Sequence, residues 1–190
     1  MIWFTADTHF HHTNIIRYCN RPFDNVDDMD ETLITNWNEN IEPDDEVFHL
    51  GDFAFVSFTP DKAVEQLNDL IGVLNGKITL IAGSHDPKMA VLRQAGFEGI
   101  HKLYTLRWDH RKLILCHYPM REWESSYHGS WHLHGHSHGL QEPYRNSLDV
   151  GVDSHVGRPV SIKDVEGIME IKKLELTKHE REVADHEQSA

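Results

Sequence analysis

Aspartate and histidine residues recur in this sequence in short clusters, each placed directly after an apolar run. The clusters are Asp7-Thr8-His9, Gly51-Asp52, Gly83-Ser84-His85-Asp86, His117 and Gly135-His136-Ser137-His138. Carboxylate and imidazole ligands without thiolates suit Mn²⁺, Fe, Zn²⁺ or Ni²⁺. Two such cations about 3.5–4 Å apart can share one carboxylate, clamp a phosphoryl group and lower the pKa of a bound water. These residue types therefore indicate a site that could hold such cations.

The order of the clusters carries more weight than any single one. An Asp-x-His triplet is usually a surface group or a turn cap, and a Gly-Asp pair is a common turn. In α/β sheets, however, binding sites form where the carboxyl ends of strands meet. Because five strands would each end in Asp or His, we expect the five clusters to meet at one site.

The apolar runs before the clusters predict five strands. They are Ile2–Ala6, Glu46–Leu50, Lys77–Ala82, Lys112–Cys116 and Trp131–His134. Capping residues and helical spacing predict the elements between and after them. These are helices over Asn14–Cys19 (capped by Thr13 or Asn14), Val26–Ile41, Pro60–Leu74 and Pro87–Ala95, a hairpin strand Lys102–Trp108 that turns at Asp109-His110, and a helix start at Ser161 followed by a last strand Ile168–Ile171.

The alternation of strands and helices predicts a mixed sheet covered by helices, and the later part of the chain is richer in strands. We therefore expect an α/β fold, a sandwich of two mixed β-sheets flanked by helices. A length of 190 residues fits one domain. We predict that this domain spans residues 1–175 and that residues 176–190, which are polar, form a frayed tail.

Composition narrows the functional classes. The net charge of −13 counts against a nucleic-acid partner and against a membrane surface. Cys19 and Cys116 are the two cysteines, too few for a disulfide framework, which favours a reduced, cytoplasmic setting. The first residues lack the pattern of a signal peptide, and no apolar run reaches transmembrane length. Sixteen histidines suggest metal binding or proton transfer.

Taken in order, the five clusters resemble the signature of the calcineurin-like metallophosphoesterases, which runs D-x-H, G-D, G-N-H-D/E, H and G-H-x-H. The resemblance spans residues 1–140. The flanking segments 49–53 and 158–161 resemble a small phage- and bacteria-type branch of that superfamily. Protein phosphatases have Asp and Arg after the Gly-Asp pair, and this chain has Phe53-Ala54-Phe55, so that branch is disfavoured.

The resemblance implies a role for each matching residue. Asp7, His9 and His138 would hold a first metal ion, Asp52 would bridge, and His117 and His136 would hold a second. His85 would lie beside the phosphate and protonate or stabilise the leaving oxygen, so that His85 and Asp52 are the predicted catalytic residues.

Position 84 departs from the signature. Ser84 stands where the family has Asn, whose side-chain oxygen binds the second metal. A serine hydroxyl is shorter and a weaker neutral donor. It could ligate after a local shift, ligate through water, or not ligate, so that either the protein tolerates a loosely held second metal or the chain is an altered, weakened variant.

Four further residues are candidates for substrate binding. A short helix starting near Asn14 would direct backbone N–H groups towards the metals, with His12 and Arg17 close by; the alternative is a helix cap and a surface arginine. Arg121, four residues after His117, could clamp a phosphate through two hydrogen bonds or simply be solvated.

We therefore expect a phosphomonoesterase or phosphodiesterase that uses two divalent cations (Mn, Fe, Zn or Ni) on a small phosphorylated metabolite or nucleotide. One alternative is a nuclease of the same superfamily, against which the acidic charge and the lack of a basic stripe count. The other is a binding or scaffold protein that has lost catalysis, which Ser84 alone favours.

Overall fold

The structure is a computed structural model that describes residues 1–142 and 144–174, and within these residues nine strands form two sheets. The first sheet has the order β4-β3-β2-β1-β9. Its strands are β1 (Ile2–Thr5), β2 (Glu46–His49), β3 (Lys77–Ile81), β4 (Gly99–His101) and β9 (Val160–Ser161). The strands β1 to β4 run parallel, and β9 pairs antiparallel with β1.

The second sheet has the order β5-β6-β7-β8. Its strands are β5 (Leu103–Trp108), β6 (Arg111–Cys116), β7 (Trp131–His134) and β8 (Ser147–Asp149). The β5–β6 hairpin is antiparallel, and β6, β7 and β8 are parallel to one another. Each sheet therefore contributes a set of neighbouring parallel strands whose carboxyl ends lie at one edge.

Helices lie between and after the strands. They are α1 (Thr13–Tyr18), α2 (Val26–Asn40), α3 (Pro60–Val73), α4 (Met89–Leu92) and α5 over residues 162–174, and residues 126–128 form a 3₁₀ turn. The side chain of Asn25 caps α2 by accepting the Asp28 N–H. Pro60 opens α3, where a missing N–H costs no helical hydrogen bond. None of the helices in the described residues has the length and apolar character needed to span a membrane.

Two apolar clusters hold the layers together. One lies between the first sheet and the helices and includes Leu33 and Trp37 of α2. The other lies between the sheets, where Phe4 packs with Leu113 and Leu133. The predicted α/β sandwich of two mixed sheets flanked by helices is therefore confirmed.

The predicted last strand is wrong. Residues Ile168–Ile171 lie inside α5, whose start at Ser161 was predicted correctly. Ser161 and Asp164 cap this helix reciprocally, because each side chain accepts the backbone N–H of the other. Val165 and Met169 are buried at a spacing of four residues, which is helical, whereas the short apolar run alone could not distinguish a helix from a strand.

Other boundaries also differ from the prediction. The helix expected over Pro87–Ala95 is confined to α4, because Gln94 and Ala95 donate to carbonyls three residues back and so tighten its end. His12 occupies the N-cap position of α1 in place of Thr13 or Asn14. The strands β4, β8 and β9 were not predicted, since two or three residues are too few to show a period. The predicted tail, residues 176–190, lies outside the described residues.

Candidate metal centre

Three side chains from loops after β1 and β7 form a first ligand group. They are Asp7, His9 and His138, whose ligand-type atoms lie within 4.8 Å of one another. Asp7 and His9 are buried, and His138 is half-buried. The Asp7 carboxylate also accepts the backbone N–H of His136 at 2.8 Å, which ties the loop after β1 to the loop after β7.

A second ligand group joins loops after β2, β6 and β7. It consists of Asp52, His117 and His136, again with ligand-type atoms within 4.8 Å. Asp52 and His117 are buried, and His136 is exposed at the mouth. The His117 ring lies 5.0 Å from the His136 ring, and Tyr118 packs against both. The structure thus brings six predicted ligands together in two sets of three.

Asp52 lies between the two groups. Its Oδ2 atom is 3.7 Å from Nε2 of His9 and 3.5 Å from Nε2 of His117. Both imidazole atoms are buried and have no hydrogen-bond partner among the described residues. A zinc ion bound to nitrogen and oxygen at about 2.0–2.2 Å keeps those atoms roughly 3.4 Å apart at a tetrahedral angle. The donor atoms and their spacing therefore fit a divalent cation on each side of Asp52.

The backbone at these ligands is held in an uncommon conformation. Five of the six have a positive φ between 48° and 68°: Asp7, His9, Asp52, His136 and His138. Residues other than glycine rarely adopt this region, although Asp and His do so more often than most. Such strain persists where the surrounding structure enforces it and is frequent at functional sites.

Burial and mutual charge set the protonation of these side chains. Burial raises the pKa of Asp7 to about 7 and lowers the pKa of His9 to about 3. Burial also opposes the charge of Asp52, but the nearby His117 outweighs it and lowers the pKa of Asp52. His117 has a raised pKa for the reciprocal reason. His9 therefore stays neutral, with a nitrogen lone pair available for a ligand.

A second layer of contacts orients the ligands. The Nδ1 atom of His138 lies 2.7 Å from Asp153, whose carboxylate receives two hydrogen bonds of 2.8 Å from Arg21. Burial opposes the charge of His138, but Asp153 raises its pKa to about 10. The Nδ1 atom of His117 lies 2.8 Å from the Leu50 carbonyl, so that its Nε2 atom faces Asp52. Contacts of this kind fix the ring and tautomer of metal-binding histidines.

The loop after β3 binds the Asp52 carboxylate from the side. The backbone N–H of His85 donates to Oδ1 at 2.8 Å, and the Ser84 hydroxyl donates to Oδ2 at 3.1 Å. Ser84 therefore contacts the residue predicted to bridge the metals. The exposed His85 ring lies 5.5 Å from the ring of His9, so that it stands at the mouth of the centre.

The four predicted substrate-binding residues are placed differently from one another. His12 is near the centre, with its ring 5.5 Å from His9 and 6.4 Å from His85. Asn14 is exposed on α1, and the exposed Arg17 lies over the Tyr18 ring at 5.5 Å. Arg121 packs over Tyr144 at 5.0 Å and lines a separate cavity of about 400 Å³ with His134 and Asp149. No contact of the described residues joins Arg121 to either ligand group.

Several residues that lie at the centre received no role in the sequence analysis. Arg21 and Asp153 were not singled out, and Asp86 was assigned no role although its carboxylate accepts the backbone N–H groups of Gly83, Asp52 and Phe53. Cys19 lies with His138 and Asp153 in a third set of ligand-type side chains. The one available signal was Asp86 itself, since a carboxylate in a turn commonly accepts backbone N–H groups.

Comparison with known proteins places the chain in a family. No family model matches it. The uncharacterized protein MJ1445 of Methanocaldococcus jannaschii is 36% identical over 180 residues, which cover 91% of this chain and 93% of that protein. The chain belongs to the MJ1445 family. The gene 66 protein of Mycobacterium phage L5 is 26% identical over 198 residues, covering 86% of this chain and 91% of that protein.

Solved structures support the fold of this MJ1445-family chain. The protein of unknown function AQ665 from Aquifex aeolicus has a TM-score of 0.68 at 22% identity, covering 88% of this chain and 98% of that one. The phosphoesterase YfcE from E. coli has a TM-score of 0.41 at 15% identity, and the match covers 85% of this chain and 81% of that one. An archaeal phosphodiesterase has a TM-score of 0.42 at 21% identity, and the match covers 79% of this chain and 81% of that one.

The ion pair between Arg21 and Asp153, which contacts His138, should stabilise this MJ1445-family protein. Arg21→Met should lower the free energy of unfolding by about 1.5–3 kcal/mol, because Asp153 then keeps His138 as a partner but loses the guanidinium, and the Asp7 and Thr8 carbonyls lose their donor. Urea unfolding in the presence of a chelator measures the change. Arg93→Met, at an exposed arginine, should stay within about 0.5 kcal/mol of the parent. The double variant Arg21→Met with Asp153→Leu should recover part of the loss; strictly additive losses would contradict a coupled pair.

Proposed function

We propose that the protein is a metal-dependent phosphoesterase that holds two divalent cations, one at each ligand group. The observation that supports this most is the position of Asp52, whose carboxylate lies between two buried imidazole nitrogens that have no other partner among the described residues. Asp7, His9 and His138 would hold one cation, and His117 and His136 the other, with Asp52 shared. When bound, the cations supply charge that neutralises a phosphoryl group and acidifies the attacking water.

The chain's own residues prepare the site for this reaction. Asp7 and Asp52 are buried, so bulk water screens their charges little. Asp153 and Leu50 fix the rings of His138 and His117, and a positioned ligand needs no rearrangement during the reaction. The roles of these residues and the presence of two cations are our proposal, supported by geometry and by the resemblance of the motifs.

The position of His85 supports a role in proton transfer. Its backbone N–H is bound to Asp52, which fixes the start of the side chain, while its ring is exposed at the mouth. An imidazole there can give a proton to a leaving oxygen without being a ligand itself. We therefore assign His85 as the general acid for an ester of a small phosphorylated metabolite or nucleotide.

The proposal predicts that activity depends on bound metal. Protein loaded with Mn²⁺ and desalted should contain up to two ions per chain, and it should hydrolyse a chromogenic phosphomonoester or phosphodiester until EDTA is added. Asp7→Asn should lose metal and activity, because it weakens the first ligand group. Asp44→Asn is the matched control, since Asp44 has a side chain that is 97% exposed. Full activity after exhaustive chelation would rule out the proposal.

The role of His85 predicts a dependence on the leaving group. His85→Ala should cut turnover by about 10²–10⁴-fold for alkyl esters, which need protonation. The loss should be much smaller for nitrophenyl esters, and metal content should stay near that of the parent. The control is His110→Ala, in the exposed β5–β6 turn. Steady-state kinetics over a series of leaving groups decides, and an equal loss across the series would contradict the assignment.

Ser84 predicts an asymmetry between the two cations. Its hydroxyl donates to Asp52, so the second ligand group has Asp52, His117 and His136 as its firm ligands and should bind its cation more weakly than the first. Ser84→Asn should tighten this cation and raise activity at limiting metal, because it adds a longer neutral oxygen donor. Ser84→Ala serves as the control without an oxygen. Calorimetric titration compares the three proteins, and identical titrations of the parent and the Ser84→Asn variant would show that the serine is already a competent ligand.

A further inference from the structure

Three exposed aromatic side chains lie beside the candidate centre. Tyr18, Phe55 and Phe58 are 63%, 48% and 94% exposed, respectively. We call these three residues the aromatic strip. Isolated apolar residues on a surface are ordinary, but a contiguous exposed apolar patch next to a site commonly binds a ligand or a partner.

A continuous series of ring contacts leads from the buried centre to this strip. The ring of His9 lies 5.5 Å from His12, and His12 stacks on Phe55 at 5.0 Å with an angle of 15° between the rings. Phe55 meets Phe58 edge-on at 6.3 Å, and Tyr18 meets His12 at 6.4 Å. The strip therefore begins two ring contacts from a predicted metal ligand and runs outwards to solvent.

Hydrogen bonds hold the strip in place. The backbone N–H of Phe55 donates to the Phe10 carbonyl at 2.8 Å, next to the bridge between Phe10 and Ala54. The backbone N–H of Ser57 donates to the Gln66 side chain at 2.7 Å. Two residues before Phe55, Phe53 is completely buried in the core. Phe55 is therefore exposed on a hydrogen-bonded loop, while Phe53 of the same loop packs in the core.

The spacing favours a ligand whose planar ring is separated from its phosphate. A phosphoryl group at the mouth of the candidate centre would lie near His12 and His85, and Phe55 lies one further ring beyond His12. An aryl ring joined directly to the phosphate would end at His12. A nucleobase, carried on a sugar, would reach Phe55 and Phe58. Bases stack on aromatic side chains with little dependence on sequence.

We propose that the aromatic strip binds the base of a nucleotide whose phosphate lies at the metal centre. This rests on the proposed phosphoesterase function and names its substrate class. Phe55 and Phe58 supply the faces for stacking. Arg17, whose guanidinium lies over the Tyr18 ring, places a positive charge at the edge of the strip.

The test compares two phosphomonoesters that differ in the base alone, adenosine 5′-monophosphate and ribose 5-phosphate. The kcat/KM of Mn²⁺-loaded protein should be about 5- to 100-fold higher for the nucleotide. Phe55→Leu and Phe58→Leu keep apolar volume but lose the ring, and each should move this ratio towards one. Tyr127→Leu is the matched control, because Tyr127 is 70% exposed and packs against Arg145 away from the ligand groups. An unchanged ratio in both phenylalanine variants would overturn the proposal.

A binding experiment separates this inference from the proposed function. Calorimetry in Mn²⁺ measures the affinity of the same two phosphates for the parent and for Phe58→Leu. If no ester is hydrolysed, the proposed function fails, and a base-dependent affinity that Phe58→Leu reduces still supports the strip. If esters are hydrolysed but the two phosphates bind equally, the inference fails alone. Base-independent turnover with a Phe58-dependent preference for nitrophenyl phosphate would assign the strip to aryl esters and overturn the nucleotide.

Discussion

Neutralising the buried carboxylate of Asp52 is the constraint on which this structure depends. A buried charge is costly unless it is paired and hydrogen-bonded. The loop after β3 supplies part of what Asp52 needs, through the His85 N–H and the Ser84 hydroxyl. The rest of its surroundings is imidazole, and the Nε2 atoms of His9 and His117 face it without partners of their own among the described residues. A cation on each side of Asp52 would bind the carboxylate and both imidazole nitrogens, whereas a single proton could be shared between Asp52 and only one of the two histidines.

That arrangement requires three loops to cross at close range. Gly51 has a φ of +93°, and a Cβ atom there would lie 2.6 Å from Nδ1 of His117 and 2.7 Å from Cα of Gly83. Only glycine accommodates both the left-handed backbone and the contact. Asp86 then joins the crossing loops by accepting three backbone N–H groups. These hydrogen bonds give Asp86 a positioning role, and it lies outside both ligand groups.

The sequence predicts the centre better than it predicts the support around it. The ligands at strand ends can be predicted because an apolar run and the polar residue that follows it are adjacent in the chain, as at Asp52. The residues that orient the ligands cannot be predicted in this way, because Arg21 and Asp153 are 132 positions apart and neither belongs to a motif. The wrong prediction of a strand over Ile168–Ile171 and the failure to predict β9 have another cause. Segments this short acquire their conformation from the neighbours that pack on them, and local propensity does not decide it.

The buried and exposed parts of the site obey different constraints. His9 and His117 are buried, and both are bound to crossing loops, so a change at either disturbs its neighbours. Phe55 and Phe58 are exposed and lie outside both apolar clusters, so substituting either side chain should cost the fold little. Fold alone does not fix a substrate. The boundary between the two parts falls within three residues, because Phe53 is buried in the core and Phe55 lies exposed over His12. Reaction type would therefore follow from the strand ends, and substrate choice from the loop that begins at Phe53.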